Sequence, residues 1–289
     1  MSNVACFARR ITLAVGVLAV AAVAAPAQSL SYVGGLQYAT GDFIFTQRTW
    51  SAYLSNGLLW SAGRLRASAS VPLVMQPAGW LQYSGAGMMV PTGGVAGSAG
   101  GSTSNNPGMM NGGTMTPSSD MPFSRVGIGD PIGRIDVALS RADAEHPLVS
   151  LVGAVKAPLA DVSRGFGTGE WDVGAGLSST VRVASISVFA EAVYWKLGNP
   201  PGGSVRNAVA YGLSIGRALP RSRWSVLGTV SGASSLWTGL EAPVQAGMGV
   251  GYLFESGSSV FATAAAGLTR TAPAISTGLG WRVPLGKTR

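Results

Sequence analysis

Residues 171–183 read Trp-Asp-Val-Gly-Ala-Gly-Leu-Ser-Ser-Thr-Val-Arg-Val, and every odd position except Ser179 is apolar. The even positions are polar, charged or glycine. A side-chain period of two marks a strand with two unlike faces. Thirteen residues is long for a soluble strand but suits a tilted crossing of a bilayer's hydrocarbon core. One face is mostly Val, Ala and Leu and begins with Trp171; the other carries Asp172 and Arg182. This is the expected wall of a membrane β-barrel, with lipid outside and a polar lumen inside.

The start of the chain agrees. Arg9 and Arg10 precede an uncharged apolar run, Ile11–Ala25, and then Ala25-Pro26-Ala27. A basic n-region, an apolar h-region and a small-residue cleavage site predict a secretory signal peptide over 1–27. The fifteen-residue run is shorter than the ~20 residues a spanning helix needs. The remaining 262 residues, Gln28–Arg289, make one barrel domain. Cys6 is the only cysteine and lies in the expected leader, so no disulfide or thiol chemistry is expected.

Charged residues are only 11% of the chain against 47% hydrophobic, which suits a protein whose outer surface meets lipid. The formal charge of +8 falls to +6 without Arg9 and Arg10. No Lys/Arg cluster forms a nucleic-acid footprint, so nucleic acid is not an expected partner. Expected partners are outer-membrane lipid and lipopolysaccharide, the barrel-assembly machinery and a small-molecule solute, with the oligomeric state left open.

Twelve strands are predicted, and the fold class is all-β, an antiparallel transmembrane barrel. The spans are 30–40, 47–60, 64–75, 131–140, 148–157, 171–183, 186–196, 205–219, 223–231, 244–254, 259–267 and 274–285. Between the third and fourth lies a long Gly/Ser/Met-rich segment, 76–124, expected as an extracellular loop. Barrels of this kind have short periplasmic turns and longer extracellular loops. The odd-to-even connections are the long ones, so the first strand runs outward. This orientation puts Trp50, Trp171 and Tyr194 at outer strand ends, and Trp60, Trp224, Phe254 and Trp281 toward inner ends. Two aromatic girdles are what the membrane interfaces favour.

The alternation turns a set of charges inward: Arg64, Arg66, Arg134, Asp136, Lys156, Asp172, Arg182, Glu191 and Arg282. They are candidate lumen-lining residues that select solutes; the plainer reading is paired charges filling a narrow barrel. Twelve strands lie between barrels filled by side chains and those with wide channels. Met88, Met89, Met109, Met110, Met115 and Met121 hold soft thioethers, but without Cys or His they make a thin metal site, so neither metal nor cofactor is expected. His146 sits in a predicted turn beside Pro147 without an evident catalytic partner, so the chain is not expected to be an enzyme. Gly-rich stretches at 127–130 and 165–169 precede no helix and so lack phosphate-loop geometry.

Three stretches carry a family resemblance. They are Gly127-Ile128-Gly129-Asp130; Lys156-Ala157-Pro158 with Gly167-Thr168-Gly169-Glu170-Trp171-Asp172-Val173; and Gly267-Leu268-Thr269-Arg270-Thr271-Ala272-Pro273. The chain from about Trp50 to Leu285 resembles the outer-membrane barrels associated with meta-pathway phenol degradation, described as transporters. The long loop is not part of that family's pattern. The resemblance implies a barrel in the bacterial outer membrane. It also implies passive passage of small, hydrophobic or aromatic solutes. A structural or surface-interaction barrel without transport is the alternative, and an outer-membrane hydrolase a more distant one.

Overall fold

The computed structural model describes residues 28–43, 48–76, 81–83, 89–91, 125–140, 147–162, 166–199 and 205–286. The expected leader, most of the methionine-rich segment and His146 lie outside the described residues.

Twelve antiparallel strands close into a barrel. They are β1 (Gln28–Gly41), β2 (Thr49–Ala62), β3 (Leu65–Gln76), β4 in two pieces (Arg125–Ile128 and Ile132–Ala138), β5 (Leu148–Lys156), β6 (Asp172–Val183), β7 (Ile186–Lys196), β8 (Ala208–Ala218), β9 (Trp224–Ala233), β10 (Val244–Leu253), β11 (Ser259–Gly267) and β12 (Ile275–Pro284). Each pairs with its sequence neighbours, and β12 returns to pair with β1 from Ser31↔Pro284 to Thr40↔Ile275. Closure satisfies the edge groups that an open sheet would leave bare in lipid. A short hairpin, Leu81–Tyr83 with Met89–Pro91, stands apart from the barrel sheet.

The predicted faces hold. Val173, Leu177, Ile135, Val137, Leu213, Ile215, Met248, Val250 and Leu279 are all exposed on the outside, where lipid would cover them. The aromatic residues expected at the interfaces also face outward. Trp224 meets Tyr252 edge-on at 4.9 Å, and Tyr252 meets Phe254 at 4.8 Å. Trp50 stacks on Tyr38 at 6.1 Å at the other end. Trp281 lies over Gly34 of the paired strand, where no side chain obstructs the ring.

Two features depart from the predicted spans. Arg64 lies in the Gly63-Arg64 turn rather than on β3, since Gly63 takes a positive φ of 56° and the ladder begins at Leu65. The fourth strand begins at Arg125, six residues before the predicted start. It is interrupted by a β-bulge. Leu73 pairs with Ile128 and Ser70 with Ile132, so three residues of β4 oppose two of β3. One extra residue reverses the phase of alternation. Val126 and Ile128 face outward at even positions, then Ile135, Val137 and Leu139 at odd ones. Pro72, which has no N–H to give the ladder, sits opposite the break, and its carbonyl accepts from the Gly129 N–H at 2.8 Å.

Candidate functional site

The bulge matters because of what it turns inward. Gly129 and Asp130 are adjacent in sequence, yet both are buried. A Cβ at Gly129 would press on Pro72 and Val74, both inward-facing residues of β3. Asp130 Oδ2 accepts from Lys156 Nζ at 3.1 Å, and Oδ1 accepts from the Ala160 N–H at 2.9 Å. Lys156 ends β5 and is fully buried. Its ammonium also donates to Thr168 Oγ1 at 2.6 Å and stands 3.2 Å from Asp172 Oδ2. Asp172 Oδ1 accepts from the Gly198 N–H at 3.0 Å.

This cluster ties two connections at the barrel's long-loop end to the wall. Asp130 lies in the bulge between the two pieces of β4, Lys156 ends β5, Thr168 and Ala160 belong to the β5–β6 connection, and Gly198 to the β7–β8 connection. Phe166 of the same connection is buried against Gly127, where a Cβ would overlap the ring. One ammonium stands between two carboxylates, so the Ala160 and Gly198 N–H groups that donate to Asp130 and Asp172 are needed to hold the group out of water.

A second ionic group lies deeper. Arg134 of β4 is bidentate toward Glu191 of β7: Nη1 donates to Oε1 at 3.0 Å and Nη2 to Oε2 at 2.5 Å. It also donates to Asp136 through Nε and Nη2, the latter at 2.7 Å. Two strands, β5 and β6, lie between β4 and β7 in the sheet, so the Arg134–Glu191 contact spans the interior as a chord. An apolar cluster of Val152, Val193, Trp195, Leu197, Ala208 and Leu236 fills the adjoining interior toward the long-loop end.

The remaining candidate residues lie toward the end with the short turns. Arg66 is opposite Asp136 in the β3–β4 ladder. Arg182 is the penultimate residue of β6 and pairs with Ser187. Arg282 of β12 donates from Nε to Ser31 Oγ at 3.0 Å. The nine candidates therefore divide: Arg134, Asp136 and Glu191 form one network, Lys156 and Asp172 belong to another, and four arginines gather near the short-turn end, Arg64 among them in its turn.

The other half of the barrel is different. Apart from Arg282 near the short-turn end, the inward faces of β8 to β12 and β1 carry mainly Gly, Ser, Thr, Ala and Gln, with Phe261 and Leu227 among them, and with hydrogen bonds such as Ser214 Oγ to Thr229 Oγ1 at 3.2 Å and Gln245 Nε2 to Ser231 Oγ at 3.2 Å. Two adjoining cavities, of about 230 and 190 Å³, open here and share Gln37, Tyr53, Thr263 and Gly278. Among the described residues, no carboxylate, lysine or arginine lines either one.

Sequence reasoning did not assign Asp130, Thr168, Tyr53, Trp195 or Phe261 to the interior. The bulge hides the phase of Asp130. Phe261 sits in Ser-Val-Phe-Ala-Thr-Ala-Ala-Ala-Gly, where both faces are nearly apolar and alternation is weak. Trp195 was findable, since it lies two residues from Val193 and out of phase with the outward Tyr194.

No family model matches the chain, and no curated protein sequence matches it. Solved structures do. The chain is similar to the COG4313 outer membrane channel from Pseudomonas putida F1, with a TM-score of 0.56 at 10% identity, covering 91% of this chain and 97% of that one. It also aligns with the CymD monoaromatic hydrocarbon channel, with a TM-score of 0.44 at 12% identity, over 92% of this chain and 90% of that one. The first likeness establishes the fold: a closed twelve-stranded barrel of the outer-membrane kind.

Proposed function

We propose that the chain resides in the bacterial outer membrane as a channel for passive passage of small, hydrophobic or aromatic solutes. The observation that carries this reading is the division of the interior. The buried charges of Asp130, Lys156 and Asp172 and the half-buried ones of Arg134, Asp136 and Glu191 are paired in two networks on the β4–β7 side, while the cavities on the opposite side are lined, among the described residues, by neutral groups. A neutral solute would meet no fixed charge there and would lose no ionic hydration on entering. The similar Pseudomonas putida barrel is an outer membrane channel, which supports the same reading. So does the resemblance to barrels associated with phenol degradation. Its first two stretches meet in one place, where the Gly127–Asp130 bulge is joined to Lys156, Thr168 and Asp172.

The test is uptake of radiolabelled toluene and of benzoate by cells producing the full chain, compared with cells lacking it, together with conductance in planar bilayers. Faster toluene uptake with little change for benzoate is expected. Equal uptake with and without the chain, and no conductance, would sink the proposal. That outcome would favour the second reading, a structural barrel, for which the Val152–Trp195–Leu236 cluster is the supporting observation because it fills part of the outer mouth.

A further inference from the structure

The 230 Å³ cavity is built around one aromatic ring. Phe261 of β11 faces inward and is 46% exposed, although it is a large apolar side chain. Its ladder partners are Gly251 on β10 and Gly280 on β12. A Cβ on Gly280 would overlap the Phe261 ring, so the ring rests on bare backbone and leaves the space in front of it clear. Across that space stand Tyr53, Pro72 and Ile132, which present apolar surface. Ser55, Thr263 and Gln37 supply hydroxyl and amide groups at the edge. Ser55 Oγ donates to the Gly35 carbonyl at 3.2 Å, which leaves its lone pairs able to accept.

We propose that this cavity is a solute-binding subsite of the lumen. It takes a neutral, flat molecule about one ring in size, held face-on against Phe261, with Gly280 reserving the space into which the ring is drawn back. The proposal rests on the channel reading and adds a place and a selectivity to it. Size follows from volume, because an apolar cavity of ~150 Å³ holds benzene in other proteins, and the volume here exceeds that by a few heavy atoms. Neutrality follows from the lining, since an anion entering this wall would lose water and find no cation to replace it. Aromatic faces offset against the Phe261 ring gain beyond simple area burial.

The test places 4-fluorophenylalanine at position 261 of the full chain, purified in detergent, and follows its fluorine resonance on titration with benzyl alcohol, cyclohexanol, benzoate and glucose. A second sample carries the label at Phe254, which faces lipid. A saturable shift at 261 with benzyl alcohol is expected, a weaker one with cyclohexanol, and none with benzoate or glucose. Gly280→Val should push the ring into the cavity and abolish the titratable shift while the barrel still folds, as judged by its gel mobility without heating. No saturable shift at 261, an equal shift with benzoate, the same shift at 254, or an unchanged titration in Gly280→Val would each overturn the subsite. The uptake assay separates the two ideas. Toluene uptake without a shift at 261 leaves the channel and removes the subsite. A shift at 261 without uptake leaves the subsite and removes the channel.

Discussion

Lys156 Nζ stands 3.1 Å from Asp130 Oδ2, and the bulge at Gly129 is what brings the carboxylate to the same buried face as the ammonium. The contact joins two stretches of sequence that look unrelated, a glycine-rich opening of β4 and the last residue of β5. Its energetic weight follows from burial. Removing one member of a buried ion pair leaves the other charge without its partner, and the cost is ~3–5 kcal/mol. Lys156→Met is therefore expected to destabilise the barrel by about that amount. The measurement is urea unfolding in phospholipid vesicles. A loss below ~1 kcal/mol, the range of an exposed pair, would count against the cluster's structural role.

The Arg223–Glu255 pair is the internal control. It joins the β8–β9 and β10–β11 turns at 2.5 Å, but Glu255 is 82% exposed. Exposed pairs contribute ~0–1 kcal/mol because water and salt screen them. Glu255→Ala should leave the unfolding midpoint nearly unchanged in the same assay, and any difference should vanish at high salt.

Faces along β6 can be tested with one cation moved by one residue. Leu177 is outward, mid-strand and 52% exposed, while Ser178 faces the interior. Arginine on the lipid face near the midplane costs ~2–4 kcal/mol. Leu177→Arg should lose that much stability in vesicles, and Ser178→Arg markedly less because its side chain reaches hydrated interior. Equal losses would mean that the assigned face is wrong.

Most of the barrel was legible because alternation is a local property. In β6, β10 and β12 the outward residues are apolar except Ser179 and Thr277, and the inward ones are glycine or polar except Leu253 at the end of β10, so span and facing follow together. The strand starting at Arg125 was not legible, since the bulge changes the outward set from Val126 and Ile128 to Ile135 and Val137, and a single period cannot cover both. Arg134, Asp136 and Glu191 share the inward phase of their strands. Their pairing was not legible, because Arg134 and Glu191 lie on strands that do not touch, and only closure of the barrel decides which side chains meet across it. The same holds for Phe261, whose open setting depends on Gly251 and Gly280 on two other strands.

The packing of the β5–β6 connection predicts an overpacking effect at Gly127. A methyl group there would overlap the Phe166 ring, which is buried and cannot move without leaving the wall. Extra atoms in a packed site cost ~1–3 kcal/mol. Gly127→Ala should lower stability by that amount, and Phe166→Ala in the same chain should recover part of it by making room. Proteolysis between residues 157 and 170 provides a second reading, since a displaced connection should be cut faster. Unchanged cleavage together with unchanged stability would show that Phe166 is not seated on Gly127.

The chord from Arg134 to Glu191 makes the last prediction, one about passage rather than stability. A bidentate guanidinium–carboxylate contact is a fixed, directional bar across the lumen on the β4–β7 side. Removing only one end would leave a buried charge seeking another partner, with the outcome confounded by rearrangement. Arg134→Leu combined with Glu191→Leu and Asp136→Asn removes the bar without leaving an unpaired charge in that network. If the bar narrows the path, single-channel conductance in planar bilayers should rise by a factor of a few, and larger neutral solutes should begin to swell liposomes. If the path runs wholly through the neutral half, past Gln37 and Thr263, conductance should stay within scatter of the parent protein. The same recording at two salt gradients reads ion preference. Arg66 and Arg182 face inward near the short-turn end, so Arg66→Ala with Arg182→Ala should reduce any preference for anions, whatever the state of the bar.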